Sequence, residues 1–275
     1  MKVTVLVDNN TLIDRYYLGE PGVAYFIEEG ENRILFDTGY SDVFLKNALK
    51  MKLPLGEIDF VAISHGHNDH TWGLGHLVQW LSENQAAQKP TLVAHPCAFY
   101  SKRVEEVGEI GSLLSLDVLQ RQFSMLLSRQ PVWLTERLVF LGEIPRGNGF
   151  ENKTPVGSVE NGSGREPDFS LDDSALAYKG ENGLVIITGC SHAGICNTVD
   201  YAKLVCEETR LQDVIGGFHL LDSPPEILEQ TCAHLKKQNV KILHAAHCTD
   251  LAAKIRLAQN FTLKEVGVGL VLEYD

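Results

Sequence analysis

The stretch Ser64-His65-Gly66-His67-Asn68-Asp69-His70 places three imidazoles and one carboxylate within six consecutive residues. It follows the apolar run Ile58–Ile63, which predicts a buried strand. Side chains alternate along an extended segment, so His65 and His67 point the same way, and the rest of the stretch lies one turn further on. A strand-to-helix turn of this kind can serve two divalent ions roughly 3.5–4 Å apart, the arrangement used in metal-assisted hydrolysis. The stretch therefore predicts a metal site; a solvated histidine-rich loop is the alternative.

Two later segments repeat the layout of a buried strand followed by a polar turn. They are Gly189–Gly194 and His244–Thr249, and their histidines His192 and His247 are predicted to be further metal ligands. His244 lies earlier in its segment, within or near the strand, and is expected to be structural.

Three other polar side chains stand at strand ends. His219 follows two glycines and is expected to bind substrate or transfer a proton. His95 ends the strand predicted at 91–94; it either touches metal or substrate or belongs to a plain surface turn. Cys190 is either a ligand or bridge between ions, or a buried thiol that binds nothing.

Composition restricts the class of protein and of partner. The chain of 275 residues has a hydrophobic content of 44% and a net charge of −12, which argues against nucleic acid as a partner. An anionic small molecule stays compatible with this charge, because metal ions and a few local cations reverse the field inside a pocket.

The N-terminus lacks the features of a signal peptide, no apolar run is long enough for a membrane, and the six cysteines form no CxxC pair. We therefore expect a cytoplasmic protein with reduced thiols.

The order of predicted elements indicates one α/β domain over residues 1–275. Strands and helices alternate with no dividing linker, and histidines recur at strand ends, which fits a four-layer α/β/β/α sandwich. Residues 97–130 are predicted to be mostly helical, and the leucines after Gly111 could form the face of a homo-oligomer. Residues 142–170 predict a loop, either a lid over the active site or a mobile surface loop. Arg146 and Arg165 flank this loop and are candidates to bind a phosphate or carboxylate of the substrate.

Four motifs in order, SHGHNDHTWG (64–73), GCSHAGI (189–195), GGFHL (216–220) and AHCTD (246–250), resemble the metallo-β-lactamase superfamily and its HxHxDH signature. The resemblance is to a branch that includes the archaeal dihydropterin–ribofuranosylaminobenzene-phosphate synthase and bacterial metal-dependent hydrolases. It implies the metallo-β-lactamase sandwich. It also implies that Asp37, in the segment FDTG, orients a ligand histidine; a turn-capping Asp is the alternative. Cys190 stands where the superfamily usually has a metal-bridging Asp.

The leading hypothesis is a dinuclear metal-dependent hydrolase that acts on a small ester, lactone, amide or phosphoester. His65, His67 and His192 would hold one ion, and Asp69, His70 and His247 the other, with a bridging hydroxide as the nucleophile. The ions would be Zn, with Mn or Fe as alternatives. Asp69 and His219 would be the catalytic residues. A pterin-linked transferase or synthase and a non-catalytic protein that binds a small ligand are the alternatives.

Overall fold

The architecture comes from a computed structural model that describes residues 1–84, 89–162 and 164–275. The strands, in chain order, are β1 (Lys2–Val7), β2 (Ala24–Glu29), β3 (Asn32–Phe36), β4 (Phe60–Ala62), β5 (Thr91–Ala94), β6 (Ser101–Val104), β7 (Gly108–Glu109), β8 (Ser124–Leu127), β9 (Val132–Trp133), β10 (Leu138–Phe140), β11 (Ser158–Asn161), β12 (Gly164–Pro167), β13 (Ala175–Gly180), β14 (Gly183–Thr188), β15 (Leu211–Gly217), β16 (Ile242–Ala246), β17 (Thr262–Leu263) and β18 (Val271–Glu273). The α-helices are α1 (Val43–Lys50), α2 (Asn68–Thr71), α3 (Gly73–Glu83), α4 (Leu116–Gln122), α5 (Ile195–Cys206), α6 (Pro225–Lys237) and α7 (Leu251–Ala258). A 3₁₀ turn spans Leu55–Glu57.

Two seven-stranded sheets form the middle of the molecule, with strand orders β18-β1-β2-β3-β4-β5-β8 and β17-β16-β15-β14-β13-β10-β9. Between them lies an apolar core to which Tyr25 and Ile27 contribute from the first sheet, and Phe140 and Ile187 from the second. Alternate residues of the same strands, such as Phe26, face outward and pack with helices α1 and α3. The outer face of the second sheet is covered by α5, α6 and α7. Helix, sheet, sheet and helix layers confirm the predicted four-layer sandwich.

The direction of the strands brings the polar turns together. β3, β4 and β5 run parallel in the first sheet, and β14, β15 and β16 run parallel in the second. The loops that follow parallel strands emerge at the same edge of a sheet, where α/β proteins place their ligand sites. The histidine segments after β4, β14, β15 and β16 therefore meet at one edge of the sandwich.

The prediction of a mostly helical segment at 97–130 is wrong. Within it the structure has one helix, α4, while β6 and β7 join a small four-stranded sheet and β8 extends the first large sheet beside β5. The spacing of apolar residues was misleading because these residues belong to two different elements, a helix and a strand. Leu119 belongs to α4 and Phe123 follows it, both in the outer core, whereas Met125 and Leu127 pack against that core from a strand.

The segment 142–170 is also less loop-like than expected. Its second half contains the hairpin of β11 and β12, and β11 pairs with β6. Ser163, between the two strands, lies outside the described residues. The residues of β11 and β12 are all exposed or half-buried, so no apolar pattern in the sequence predicts this hairpin. The described residues form no helix that is both long and apolar enough to cross a bilayer.

A buried polar contact anchors the C-terminus. Because it lies outside the histidine cluster, a substitution there tests the fold separately from the site. The Tyr274 hydroxyl donates to Asp213 Oδ2 at 2.8 Å, and Asp213 also contacts His244 Nδ1 at 2.9 Å, which gives His244 the structural role expected of it. Tyr274→Phe removes one of the hydrogen bonds that the buried Asp213 carboxylate accepts. We expect the free energy of unfolding to fall by about 1–3 kcal/mol in urea denaturation. Tyr16→Phe, at a side chain that is 83% exposed, should change it by less than about 0.5 kcal/mol. Equal stability of the two variants would contradict this account.

Candidate metal centre

The loop after β4 carries the first histidines into the interior. His65, His67 and His70 are all buried, and His67 caps the single turn α2. Gly66 is required by a close approach, because a Cβ at this position would lie 2.1 Å from the carbonyl oxygen of Ala98. The loop is therefore pressed against its neighbours, with its imidazoles directed inward.

One group of donor atoms comes from His65, Cys190 and His192, whose ligand atoms all lie within 4.8 Å of one another. His67 borders this group, with its Nδ1 atom 3.0 Å from His65 Nε2. The rings of His65 and His192 have centroids 4.7 Å apart. The structure thus brings together the three histidines that the sequence analysis assigned to one ion.

A second group consists of Asp69, His70, Cys190 and His247, again within 4.8 Å. Asp69 Oδ2 lies 3.2 Å from His247 Nε2, and Cys190 Sγ lies 3.2 Å from His70 Nε2. Cys190 belongs to both groups, so its sulfur lies between the two sets of donors.

Asp37 fixes the orientation of the loop. Its carboxylate accepts hydrogen bonds from Ser64 N and Ser64 Oγ, both at 2.7 Å, and contacts His70 Nδ1 at 2.7 Å. Because the Ser64 hydroxyl gives its proton to Asp37, it accepts from His65 Nδ1 at 3.0 Å. Both rings therefore hold a proton on Nδ1 and turn Nε2 toward the donor groups, as carboxylates and hydroxyls behind metal-binding histidines do.

His247 is held by the end of the first strand. Its Nδ1 atom contacts Asn9 Oδ1 at 2.9 Å, and its backbone N–H donates to Asp8 Oδ1 at 3.0 Å. These contacts leave Nε2 directed at Asp69. Sequence reasoning missed Asp8 and Asn9, whose position directly after a strand at this edge is the one available signal.

Several of these residues have a backbone conformation that is unfavourable for residues other than glycine. Asp37, Ser191, His219 and His247 have φ angles of 58°, 61°, 50° and 47°. Such strain persists only where surrounding contacts impose it, and it concentrates at functional sites. All four lie in loops that follow strands at the same edge.

A buried lysine lies behind His67 and was also missed. Lys102 Nζ is 2.6 Å from Asp172 Oδ1 and 3.2 Å from Asp168 Oδ2. Asp172 accepts the backbone N–H of Gly66 at 2.7 Å, and Asp168 Oδ2 lies 3.8 Å from His67 Nε2. The alternation of polar and apolar residues over 168–172 could have pointed to these two carboxylates, but Lys102 fell in a segment predicted to be helical.

Burial and charge shift the pKa values of the clustered groups. Burial opposes a charge on His70, yet the carboxylates of Asp69 and Asp37 outweigh it and raise the pKa of His70 to about 9. Burial would raise the pKa of Asp69, but the neighbouring His70 and His247 hold it below its usual range. Burial and the surrounding imidazoles lower the pKa of both His65 and His192. His65 and His192 are thus neutral at pH 7, with nitrogen lone pairs available.

The remaining candidates are His219, Arg146 and Arg165. His219 Nδ1 is buried without a partner among the described residues, and the His219 and His192 rings have centroids 4.1 Å apart. Arg146 donates to the carbonyls of Ile144 and Ser170 and borders a cavity next to Asp168. Arg165 is exposed on β12.

The expectation that His95 touches metal or substrate is not supported. Its Nδ1 atom accepts the backbone N–H of Cys97 at 3.1 Å, and its Nε2 atom contacts Glu143 at 3.2 Å. Both nitrogens have protein partners, and His95 belongs to neither donor group.

The donor atoms fit divalent cations. Both ring nitrogens of His192 are buried and have no hydrogen-bond partner within the described part of the chain. His65 Nε2 and His67 Nδ1 lie 3.0 Å apart, close enough for both nitrogens to bind one ion. Buried polar atoms without partners are costly, and a shared cation satisfies them. Imidazole, carboxylate and thiolate together are a donor set typical of transition metals.

Comparison with known proteins identifies the family. Residues 18–205 match the family described as the metallo-beta-lactamase superfamily. In Methanocaldococcus jannaschii, the 7,8-dihydropterin-6-methyl-4-(beta-D-ribofuranosyl)-aminobenzene-5'-phosphate synthase is 30% identical, with 95% of this chain and 92% of that protein covered. An uncharacterized protein of the same organism is 30% identical over 96% of this chain and 98% of its own length. A crystal structure described as a metal-dependent hydrolase of the β-lactamase superfamily has a TM-score of 0.85 at 28% identity, with both chains fully covered. The chain belongs to the metallo-β-lactamase superfamily.

The contacts of Asp37 predict how His70 titrates. In metal-free protein we expect His70 to be protonated at pH 7 and to lose its charge near pH 9, because Asp69 and Asp37 stabilise the imidazolium. Asp37→Asn removes one of these charges and should lower the pKa of His70. NMR titration of the ring resonances measures both values. Asp200→Asn, which alters a distant exposed pair with His234, should leave His70 unchanged. A pKa near 6.5 in the wild type would contradict this interpretation.

Proposed function

We propose that the protein is a dinuclear metal-dependent hydrolase that acts on a small ester, lactone, amide or phosphoester. The observation that carries the proposal is the pair of buried donor groups that share Cys190 Sγ. Membership of the superfamily and the similarity to a protein described as a metal-dependent hydrolase support it.

Two sets of side chains would hold the ions. His65, His67 and His192 would bind the first, with His67 using Nδ1. Asp69, His70 and His247 would bind the second, and the Cys190 thiolate would contact both. Thiolate and imidazole ligands favour Zn, and Fe is the alternative that tolerates the same set; Mn prefers oxygen.

The chemistry divides between the ions and the chain. When bound, a pair of divalent ions supplies Lewis acidity and lowers the pKa of a water nucleophile. Asp69 and the histidines hold the ions in place. A cleft of about 470 Å³, bordered by His192, His219 and Asn152, gives substrate access to the centre. Asn152 holds the loop that carries His192 in position, since its Nδ2 donates to the His192 carbonyl at 2.9 Å.

His219 would protonate the leaving group. It borders the cleft, and its Nδ1 atom has no partner among the described residues. Burial would lower its pKa, but the contact with Cys248 and nearby negative charges outweigh burial and raise it. The raised pKa favours the protonated imidazole that a general acid needs.

The function is tested by substrate turnover. Protein reconstituted with Zn should hydrolyse at least one of a nitrophenyl ester, a lactone, an anilide and a nitrophenyl phosphodiester. Chelation or Asp69→Ala should abolish this activity. His219→Asn should lower kcat by about 10²–10⁴ with unchanged metal content, and the distant His234→Asn should have no effect. Turnover that survives complete removal of metal would contradict the proposal.

A synthase is the second candidate, because the M. jannaschii synthase is 30% identical over nearly the whole chain. The same residues would then hold ions that supply Lewis acidity at a phosphate or ring oxygen. A C–N or C–C bond to the pterin would form as the C–O bond to the departing pyrophosphate breaks. Incubation with a pterin pyrophosphate and an aryl ribosyl phosphate distinguishes the two reactions. A joined product supports the synthase, whereas free hydroxymethylpterin alone supports hydrolysis.

Asp168 provides a separate test of the ligand assignment. If His67 binds the metal through Nδ1, its Nε2–H points at Asp168, which Lys102 keeps ionised. Burial raises the pKa of Asp168, but the contacts with His67 and Lys102 prevail and hold it at about 2. Asp168→Asn should weaken metal affinity by about 10–100-fold in competition with a chromophoric chelator. Asp200→Asn is the matched control. An unchanged affinity for Asp168→Asn would refute the orientation of His67.

A further inference from the structure

A second cavity, of about 650 Å³, lies on the His67 side of the centre and is bordered by Arg146, Lys102, Asp168, Phe169 and Leu171. Its volume lies within the range of small-molecule sites. Asn152 borders both this cavity and the cleft next to His192. The two spaces therefore adjoin across one side chain.

The wall formed by residues 168–172 has the reverse of the usual polarity. Asp168, Ser170 and Asp172 point inward and are buried, whereas Phe169 and Leu171 point outward and are 37% and 50% exposed. In a sheet or loop on an apolar core, the apolar residues would be the buried ones. Tyr100 and Val159 extend this apolar lining. A ligand with an aromatic body would cover these side chains and remove them from water.

Acidic and basic side chains border the cavity in equal number, and Arg146 is the basic one among them that is not paired with a carboxylate in the described part of the chain. Arg129 pairs with Glu143, and Glu166 accepts a hydrogen bond from Asn161. Asp168 and Asp172 are already bound by Lys102, and they accept the backbone N–H groups of Ser170 and Gly66. Arg146 donates only to backbone carbonyls, its buried Nε has no partner among the described residues, and its charge faces no carboxylate in an ion pair there. A guanidinium binds carboxylate and phosphate groups and stacks on aromatic rings.

We propose that this cavity binds an aromatic anion, with the ring against Phe169 and Leu171 and the carboxylate or phosphate group at Arg146. The proposal rests on the proposed function only in taking the bound molecule to be the substrate or a part of it. Binding itself requires no turnover.

Isothermal titration calorimetry with unreactive probes tests the site. Benzoate and phenylphosphonate distinguish the two kinds of anion, and acetate and methylphosphonate are their ring-free controls. At least one aromatic probe should bind the purified protein at least tenfold more tightly than its control. Arg146→Gln and Phe169→Ser should each weaken that binding by at least tenfold. Arg256→Gln, at a half-buried arginine that pairs with Glu229 and does not border the cavity, should not change it.

Two further variants distinguish binding at Arg146 from loosening of the loop and from binding at the metal centre. Arg146→Lys keeps the charge and should retain more affinity than Arg146→Gln, which a general loosening of the loop would not produce. His65→Ala, expected to impair metal binding, should still bind the probe. Affinity that is lost in His65→Ala but kept in Arg146→Gln would place the anion at the metal centre and overturn this proposal, while the hydrolase function would stand. Equal affinity for aromatic and ring-free probes would also overturn it.

Discussion

The carboxylate of Asp37 is the contact on which the metal centre depends. It accepts two hydrogen bonds from Ser64 and contacts His70 Nδ1, so a single buried group fixes the rings of His65 and His70. Without it, the Ser64 N–H would lose its acceptor, and the rings of His65 and His70 would lose the contacts that direct their nitrogens. The same principle recurs at Asn9 for His247 and at Asp168 for His67. Each of these four rings, unlike that of His192, has a polar partner on the side away from the centre.

This arrangement is unfavourable by itself. Four residues at the edge of the sandwich have left-handed backbone angles, and a lysine with two aspartates is buried beside five imidazoles. Strain of this kind amounts to about 1–3 kcal/mol for each residue. The three apolar cores of the sandwich hold it in place. The site is thus preorganised by the fold, and bound cations would relieve the unsatisfied nitrogens that remain.

The sequence predicted the four layers and the histidine cluster for a physical reason. Buried strands produce apolar runs, and ligand side chains placed directly after them must converge at one edge when the strands are parallel. The partners of the histidines could not be found in this way. Asp8, Lys102 and Asp168 are distant in sequence from the residues they support, and only the tertiary fold brings them near. The hairpin of β11 and β12 was missed because its strands have little apolar character. The sequence left the role of His95 open between a contact with metal or substrate and a surface turn, because its place at a strand end cannot reveal that Glu143 and Cys97 contact both of its nitrogens.

The sulfur of Cys190 is the one donor atom common to both groups, so a change at this residue should affect both metal sites. The direct test is the number of metal ions per chain, measured by elemental mass spectrometry after reconstitution and removal of free metal. About two ions per wild-type chain are expected, and fewer than one in Cys190→Ala, since that substitution removes a ligand from both sites. A wild-type protein that retains no ion after exposure to Zn, Mn and Fe would contradict the paired centre.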